Sequence, residues 1–357
     1  MAAQMRAAEY KGLSEAEIQE KERQKEMKRK KNIEILEDTL GILEKGSYSK
    51  DGQEIKLRFS KEQMQEAQVF LPDDIEALRA KNDCQAQDIH CVYGCENTDA
   101  LVLAQKKYQT SSSILVLNMA SATQPGGQTR KGASAQEEAL CRRTSLLLSL
   151  ESESAKKYYD YNVHESNEPC ADGVSHRQRG TCSPEAVTCD RRIGRMPVNE
   201  RAEWLSNSAR QNIRYDNLRK THMGSDAIIL SPYVEVIKDF SSETLAEPFP
   251  VSVMSCAAPM IRLGLEGMSQ QEYEAMLYKR IEGMLLVAAS QNYRHLILGA
   301  FGCGVFGNDA AVVSDLFAKA IRSSSQSFAS IDFAVLCCPD KDYNYREFCR
   351  NFSGKKL

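Results

Sequence analysis

Two adjacent glutamates, Glu137 and Glu138, are the residues of this sequence best placed to do acid–base chemistry. Acidic residues are favoured in the first turn of any helix by the helix dipole, and this alone would account for an isolated pair. The residues before the pair give it a further meaning. The amide residue Asn118 ends an apolar run, and a turn with Gly126 and Gly127 precedes the glutamates. Carboxylates that flank a ribosidic bond can protonate the leaving oxygen and then activate water.

The elements that must position these residues are a strand, a turn and a helix. The short apolar run Ile114–Leu117 predicts a buried strand. Glycines let the turn bend tightly and let another molecule come close, and Gly132 adds flexibility. The composition of Ala133–Leu140 predicts a helix that carries Gln136 and the two glutamates near its start. The arrangement surrounds one space with two amides, two carboxylates and bare backbone, which suits a sugar and its phosphates.

A second glycine-rich loop follows a later strand. His295–Leu298 predicts that strand and Asp309–Ile321 predicts the helix after the loop. A Gly-x-Gly pattern alone is weak evidence, but here the loop and the helix start can aim N–H groups at an anion. The aromatic residue Phe306 has loop glycines on both sides, which favours contact of its ring with a ligand over an ordinary core position. The candidate binding residues are Gly302, Cys303, Gly304, Val305, Phe306, Gly307 and Asn308.

Strands alternate with helices along the rest of the chain. The further predicted strands are a hairpin at Tyr48–Phe59, then Gln85–Tyr93, Ala227–Leu230, Val234–Ile237, Val251–Cys256 and Ile331–Cys337. The further predicted helices are Glu15–Lys31, an amphipathic stretch from Asn32 to near Gly46, Thr98–Lys107, Ser145–Tyr161, Asn199–Lys220, Gln270–Ser290 and Tyr343–Phe352. This alternation predicts an α/β fold with a mostly parallel or mixed sheet covered on both faces. Ligand should bind across the carboxyl ends of the strands, where both glycine loops would meet.

Composition narrows the class of protein. The chain has 357 residues, of which 42% are apolar, and a formal charge of −3, so we expect a sizeable core and no direct nucleic-acid binding. We expect no membrane attachment, because no apolar run is long enough for a spanning helix and no secretory signal is evident. The 12 cysteines are scattered and suggest reduced, partly buried thiols in a cytoplasmic protein. The basic run Lys28–Lys31 is more often a solvated helix face than a nuclear address, although a nuclear location is possible in a eukaryote.

These linked features resemble the signature of the microbial-type poly(ADP-ribose) glycohydrolases, which are built on a macrodomain. The resemblance rests on Asn118, on Pro125-Gly126-Gly127 and on Gln136–Arg142, which reads Gln-Glu-Glu-Ala-Leu-Cys-Arg. It covers roughly Asn32–Phe352, because the helix and hairpin after Asn32 are similar to the family's N-terminal extension. It implies a macrodomain-like mixed sheet between helices, with an N-terminal helical extension.

The resemblance implies hydrolysis of the ribose–ribose glycosidic bonds of poly(ADP-ribose), with release of ADP-ribose. By this likeness Glu138 is the catalytic acid/base, Glu137 holds ribose hydroxyls and Asn118 positions the proximal ribose. The double role of the acid/base needs a carboxyl whose pKa is lifted toward neutrality by a partly desolvated pocket or a neighbouring charge. No metal or cofactor is required. The other residues implied to contact the substrate are Gly126, Gly127, Gln128, Gln136 and the residues of the second loop.

One position departs from the family pattern. Gln128 stands where the family usually has a third glycine, in the loop that must wrap the scissile ribose. A side chain there could narrow the site or change which ADP-ribose linkage fits. An alternative is therefore a mono-ADP-ribosyl-protein hydrolase, whose partner would be an ADP-ribosylated protein. A non-catalytic reader of ADP-ribose and an unrelated structural role are further alternatives, and retention of both glutamates argues against the reader.

The predicted domain organisation is a charged helical segment at residues 1–31 and the glycohydrolase domain at residues 32–357, with an insertion at about 164–224. The insertion is polar, and family members connect more briefly here. It contains three cysteines near two histidines, but no tight C-x-x-C spacing, so a partly ordered loop is a more ordinary interpretation than a zinc site. Its arginines could meet a polyanionic substrate or simply form a solvated surface: Arg191, Arg192, Arg195 and Arg201.

Overall fold

The computed structural model describes residues 13–81, 91–111, 113–165, 223–265, 267–324, 328–338 and 340–354. These residues form one mixed sheet between two layers of helices, together with a small hairpin and a long N-terminal helix. The predicted α/β class, the mixed sheet and the N-terminal helical extension are confirmed.

Nine strands are found in the described chain. Two of them pair as a separate hairpin, and the other seven form the sheet in the order β3-β6-β7-β5-β8-β9-β4. The pairs β3–β6 and β6–β7 are antiparallel, and the remaining neighbours are parallel. The strands are β1 Ser47–Lys50, β2 Gln53–Lys56, β3 Gln68–Phe70, β4 Val92–Glu96, β5 Ile114–Met119, β6 Ile228–Lys238, β7 Thr244–Cys256, β8 His295–Leu298 and β9 Ser330–Ala334.

Ten α-helices and two short 3-10 turns accompany these strands in the described ranges. The 3-10 turns are Thr129–Lys131 and Ile261–Leu263. The helices are α1 Glu15–Lys45, α2 Lys61–Met64, α3 Pro72–Lys81, α4 Ala100–Tyr108, α5 Gln136–Arg143, α6 Leu146–Leu150, α7 Glu153–Glu165, α8 Gln270–Ser290, α9 Ala310–Ser323 and α10 Tyr343–Phe352.

Helix α1 joins the two stretches that the sequence predicted separately into one helix of 31 residues. Ser14 caps its start in a capping box with Glu17, and Gly46 ends it in the left-handed conformation at φ 70°. Most of the helix before Asn32 is exposed. From there one face is buried at helical spacing, by Asn32, Leu36, Thr39, Ile42 and Leu43.

Strand β5 shows how the sheet divides the core. Leu115 and Leu117 pack into the cluster that contains α8, α9 and α10. Ile114 and Val116 pack into the opposite cluster, which contains α4, α5, α6 and α7. Successive side chains of a strand point to opposite faces, so a strand buried on both faces is a continuous apolar run. The same alternation turns Asn118 toward the face that carries α5.

Several predicted elements lie where the sequence placed them. The hairpin turns at Asp51-Gly52, both with positive φ, as expected of Asp-Gly. Helices α8 and α10 and strand β8 have the predicted bounds. Helix α4 begins at Ala100 because Asp99 caps it, and α9 begins at Ala310 because Asp309 caps it.

Strands β6 and β7 correct two predictions. We predicted two strands, Ala227–Leu230 and Val234–Ile237, but β6 runs through the residues between them, with a register irregularity between Ser231 and Val234. Proline cannot donate to a strand ladder and is tolerated where the pairing is already interrupted. Strand β7 begins at Thr244 rather than Val251, because it continues as the antiparallel partner of this long strand.

Other bounds differ as well. Strand β4 is at Val92–Glu96 rather than Gln85–Tyr93, and residues 82–90 lie outside the described chain. Gly94 weakens the sequence pattern of this strand. Packing requires glycine at this position, because a Cβ there would lie 2.5 Å from Asp332 Oδ1. The predicted helix Ser145–Tyr161 is two helices, α6 and α7, and β9 ends at Ala334 rather than Cys337.

Three predictions depend on residues outside the described chain. Of the predicted insertion, the structure describes only the end of α7 and residues 223–224. The predicted helix at 199–220, the zinc hypothesis and the arginine cluster therefore stay predictions. The eight cysteines of the described ranges are free thiols. Cys256 is buried, but Cys338 is exposed, because β9 ends four residues before it.

Candidate active site

The loops that follow β5, β7 and β8 lie side by side at the carboxyl edge of the sheet. Ala120, after β5, donates its N–H to Cys256 O at 3.0 Å. A Cβ on Gly302, after β8, would lie 2.6 Å from Ala258 Cβ. Open α/β sheets bind their ligands at this edge. Both predicted glycine loops therefore border the place where a ligand is expected.

Gln136 joins the start of helix α5 to the end of strand β5. Its Oε1 accepts the N–H of Met119 at 2.8 Å, and its Nε2 donates to Leu117 O at 2.6 Å. Because both ends of the amide are bonded to strand backbone, the side chain fixes where α5 begins. Its predicted contact with substrate stays a prediction.

Glu137 is the more completely bonded of the two carboxyls. It is 4% exposed. Its Oε2 accepts the N–H of Ser121 at 2.8 Å, and its Oε1 accepts from Asn118 Nδ2 at 3.4 Å. Burial raises the pKa of Glu137 to about 8, against the lowering by the Ser121 N–H, and the charge of Glu138 adds to the rise. The pair therefore holds at least one proton near neutral pH.

Glu138 presents an oxygen without a partner. The residue is 7% exposed, and its Oε1 accepts the N–H of Gln128 at 3.0 Å. Its Oε2 is buried and has no hydrogen-bond partner among the described residues. An unsatisfied buried carboxylate oxygen is costly, so a group supplied by a ligand would satisfy it. Of the two carboxyls, Glu138 is the one with an oxygen free for chemistry.

The glycine turn packs bare backbone against both carboxyls. Gly127 has φ 58°, and a Cβ there would lie 2.7 Å from Glu138 Oε1 and 2.9 Å from Glu137 Oε2. Gly126 has φ 65°, and a Cβ there would lie 2.6 Å from Leu147 Cδ1. Side chains rarely adopt positive φ and would also clash here. Only glycine lets the turn approach the carboxyls this closely.

Asn118 is fully buried, and hydrogen bonds to neighbouring residues fix the orientation of its side-chain amide. Its Nδ2 donates to Ser255 Oγ at 2.9 Å, and Asn118 and Ser255 are register partners in strands β5 and β7. Its Oδ1 has no hydrogen-bond partner in the described chain. The amide therefore offers an acceptor oxygen, which suits a sugar hydroxyl.

The second glycine loop is held by Asn308. Its Oδ1 accepts the hydroxyl of Tyr273 at 2.7 Å, and its Nδ2 donates to Pro259 O at 2.8 Å and to Gly302 O at 2.9 Å. The side chain is 4% exposed and fixes the loop from inside. Gly302 has φ 72°, and a Cβ there would collide with Asn308 Nδ2.

The tip of this loop is open. A Cβ on Gly304 would meet no atom within 4 Å. Val305 is 59% exposed, and Phe306 is half-buried. The N–H groups of residues 304, 305 and 306 make no hydrogen bond within the described chain, whereas those of Cys303 and Gly307 are used in the loop's own turns. Consecutive free N–H groups beside a helix start are suited to an anion such as a diphosphate.

Cys303 is the thiol of this loop. Burial raises its pKa to about 12, so the thiol is neutral at physiological pH. Its Sγ donates to Phe301 O at 3.6 Å. The side chain packs against the core, and its predicted contact with substrate stays a prediction.

The side chain of Gln128 is bonded within its own turn rather than to either carboxyl. Its Nε2 donates to Gln124 Oε1 in an exposed hydrogen bond. The residue has φ −104°, a conformation open to any residue. A side chain at this position therefore introduces no backbone strain, and its amide is bonded to Gln124 rather than to Glu138.

Within the described ranges, no group of three or more His, Cys, Asp or Glu side chains is arranged to hold a metal ion. None of the helices described combines the length and the apolar character needed to cross a membrane.

Two partners of the site were missed by sequence reasoning. Ser255 orients Asn118, but its pairing depends on the register between β5 and β7, which no local pattern reveals. Ser121 bonds Glu137 through a backbone N–H, which carries no side-chain signature.

Comparison with known proteins shows what this chain is similar to. Residues 36–176 match the sequence profile described as the microbial-type PARG catalytic domain. No curated protein sequence matches the chain. Thirty-three chains of solved structures do match.

The similar structures include those of two bacterial proteins. The crystal structure of poly(ADP-ribose) glycohydrolase from Thermomonospora curvata is 24% identical with a TM-score of 0.69, covering 90% of this chain and 99% of that one. The same protein bound to the inhibitor ADP-HPD gives 24% and 0.67 with the same coverage. Poly(ADP-ribose) glycohydrolase from Deinococcus radiodurans in complex with ADP-ribose is 25% identical with a TM-score of 0.62, covering 83% of this chain and 98% of that one. Residues 36–176 are therefore similar to the microbial-type PARG catalytic domain, and the described chain has the fold of the bacterial poly(ADP-ribose) glycohydrolases.

Proposed function

We propose that this protein is a glycosidase that hydrolyses the ribose–ribose bonds of poly(ADP-ribose) and releases ADP-ribose. The observation that carries the proposal is the buried, unpartnered Oε2 of Glu138 beside a turn of bare glycine backbone. A reader of ADP-ribose would need no such oxygen, whereas an acid/base catalyst does. The family match and the relatives crystallised with ADP-ribose and ADP-HPD support the same substrate class.

In the proposed reaction Glu138 is the acid/base. It gives a proton to the departing ribose oxygen, and its carboxylate then takes a proton from the water that attacks the oxocarbenium-like centre. The raised pKa of Glu137 keeps a proton within the pair near neutral pH. Glu137 also holds the ribose hydroxyls, since its Oε1 is bonded to the amide nitrogen of Asn118, whose own Oδ1 has no partner in the described chain.

The remaining residues bind and orient. The Gly126-Gly127 turn passes over the reaction centre, and the N–H groups of residues 304–306 receive the diphosphate. Val305 and Phe306 pack over the ribose or diphosphate. Poly(ADP-ribose) or an ADP-ribosylated protein is the partner, bound through its ADP-ribose units.

The test is the replacement of Glu138 by glutamine. The amide oxygen can still accept a hydrogen bond from the N–H of Gln128, but the amide cannot exchange a proton. We therefore expect kcat to fall by about a hundredfold to ten-thousandfold. ADP-ribose binding by calorimetry should stay largely intact. Labelled polymer with identification of the released product is the assay, and the exposed Glu153→Gln is the matched control. Near-parental turnover by Glu138→Gln would remove this carboxyl from the mechanism.

A second candidate function, hydrolysis of a single ADP-ribose from a protein side chain, rests on Gln128. The direction of its side chain toward Gln124 favours the polymer instead. We therefore expect Gln128→Gly to change polymer turnover by less than about threefold, which is within the range of a surface substitution. The variant and the parent should be compared on automodified polymer and on singly modified protein. A large gain on polymer in the variant would mean that the glutamine obstructs the site.

A further inference from the structure

Helix α1 touches the segment that links the glycine turn to the carboxyl pair. Asn32 is 8% exposed and lies in the middle of this helix. Its Nδ2 donates to Gly132 O at 2.9 Å and to Ser134 Oγ at 3.1 Å, with Ala133 O at 3.4 Å. One amide group therefore binds three consecutive residues of the segment immediately before α5.

The rest of the contact fixes both ends of α5. Gly132 has φ 72°, and a Cβ there would collide with Arg29 O, so the segment packs on the backbone of α1. At the other end of α5, Thr39 Oγ1 donates to Arg142 O at 2.6 Å. Arg142 Nη1 in turn donates to Ala133 O. The short helix that carries the carboxyls is thus held at its start and at its end by one long helix.

We propose that Asn32 is a positioning residue of the carboxyl pair, so that α1 before the matched family segment 36–176 is part of the active-site scaffold. The inference rests on the proposed hydrolysis. Glu137 and Glu138 are in the first turn of α5, which begins two residues after Ser134. Loss of the amide frees this turn to shift, and a shift of about 1 Å in a catalytic group can cost on the order of a hundredfold in rate.

The ligand contacts proposed for the second loop lie on other elements. The free N–H groups of residues 304–306 follow β8, and no backbone hydrogen bond of the described chain joins them to α1. Asn32 should therefore act on turnover and leave most of the binding of ADP-ribose unchanged. Substitution of a residue that served stability alone would lower turnover and ADP-ribose binding together, in proportion to the fraction of folded protein.

The experiment compares Asn32→Ala and Asn32→Asp with the exposed Glu37→Ala on the same helix. We expect Asn32→Ala to lower kcat by about tenfold or more, while the Kd for ADP-ribose changes by less than about threefold. Asn32→Asp should lower kcat further, because a carboxylate oxygen would then face Gly132 O. In a Glu138→Gln background Asn32→Ala should add little, since residues that act as a unit are not additive.

Hydrogen exchange separates this inference from the proposed function. In Asn32→Ala the amides of residues 132–140 should exchange faster than in the parent, and those of β8 should not. The exchange rates therefore test the positioning role of Asn32 independently of catalysis. If the parent released no ADP-ribose, that result would overturn the hydrolase proposal alone. Parental exchange at residues 132–140 in Asn32→Ala, or a loss of kcat matched by the loss of ADP-ribose binding, would overturn the role of Asn32.

Discussion

At the scale of single residues, two neighbouring carboxyls occupy different environments. Glu137 is bonded by the N–H of Ser121 and the amide of Asn118, and burial lifts its pKa. Glu138 is bonded through one oxygen and keeps the other free. Carboxyls that differ in this way can divide binding and proton transfer between them.

The raised pKa of Glu137 predicts how stability depends on pH. The folded protein holds this proton up to about pH 8, whereas the unfolded chain releases it near the ordinary value of 4.5. The folded state therefore binds more protons between these values, so the free energy of unfolding should fall as pH rises from about 5 to 9. Each pKa unit corresponds to about 1.4 kcal/mol, so the contribution of this one group should be several kcal/mol.

Denaturant unfolding between pH 5 and 9 measures this dependence. Glu137→Gln, which has no ionisable group here, should show a flatter profile than the parent, and the exposed Glu247→Gln should keep the parental slope. Identical profiles for the parent and Glu137→Gln would mean that the proton is not held at this residue.

The residues of the site could be predicted in part from their types and spacing. Glu138, Gly127 and Asn118 could be singled out from the sequence, because each belongs to a short stretch with its own chemistry. Ser255 was not, because it meets Asn118 only through the pairing of two strands that are 137 residues apart. Asn308 was predicted to bind ligand, which stays a prediction, and in the structure its amide holds the loop through hydrogen bonds that no local pattern reveals.

At the scale of elements, periodicity found most helices and strands, and tertiary contacts decided their ends. Helix α5 starts three residues later than predicted because Gln136 ties its first turn to β5. Strand β6 continues through Pro232 because β7 pairs with it on both sides of the irregularity. The contact between α1 and the segment at 132–134 could not be predicted from the sequence, since Asn32 and Gly132 are 100 residues apart.

At the scale of the whole molecule, the sheet order brings the two glycine loops to one edge. Strand β5 lies between β7 and β8, so the loops after these strands are neighbours although they are far apart in the chain. Alternation of strands and helices predicted this edge, but not the order of the strands, which depends on long-range pairing. A ligand that spans both loops joins elements from both halves of the chain, and its binding should stabilise the entire fold.

Thermal unfolding with ADP-ribose tests this linkage. A ligand at 100 times its Kd stabilises by about 2.7 kcal/mol, which for a chain of this size should raise Tm by on the order of 5 °C. Gly304→Val should have parental Tm without ligand, because the added side chain enters open space at a φ that other residues adopt. The same side chain would occupy the approach to the free N–H groups of residues 304–306, so the rise with ADP-ribose should be lost. Gly41→Val, in an equally open position on α1, should keep the full rise. A full rise in Gly304→Val would show that the diphosphate binds elsewhere and that the second loop has another purpose.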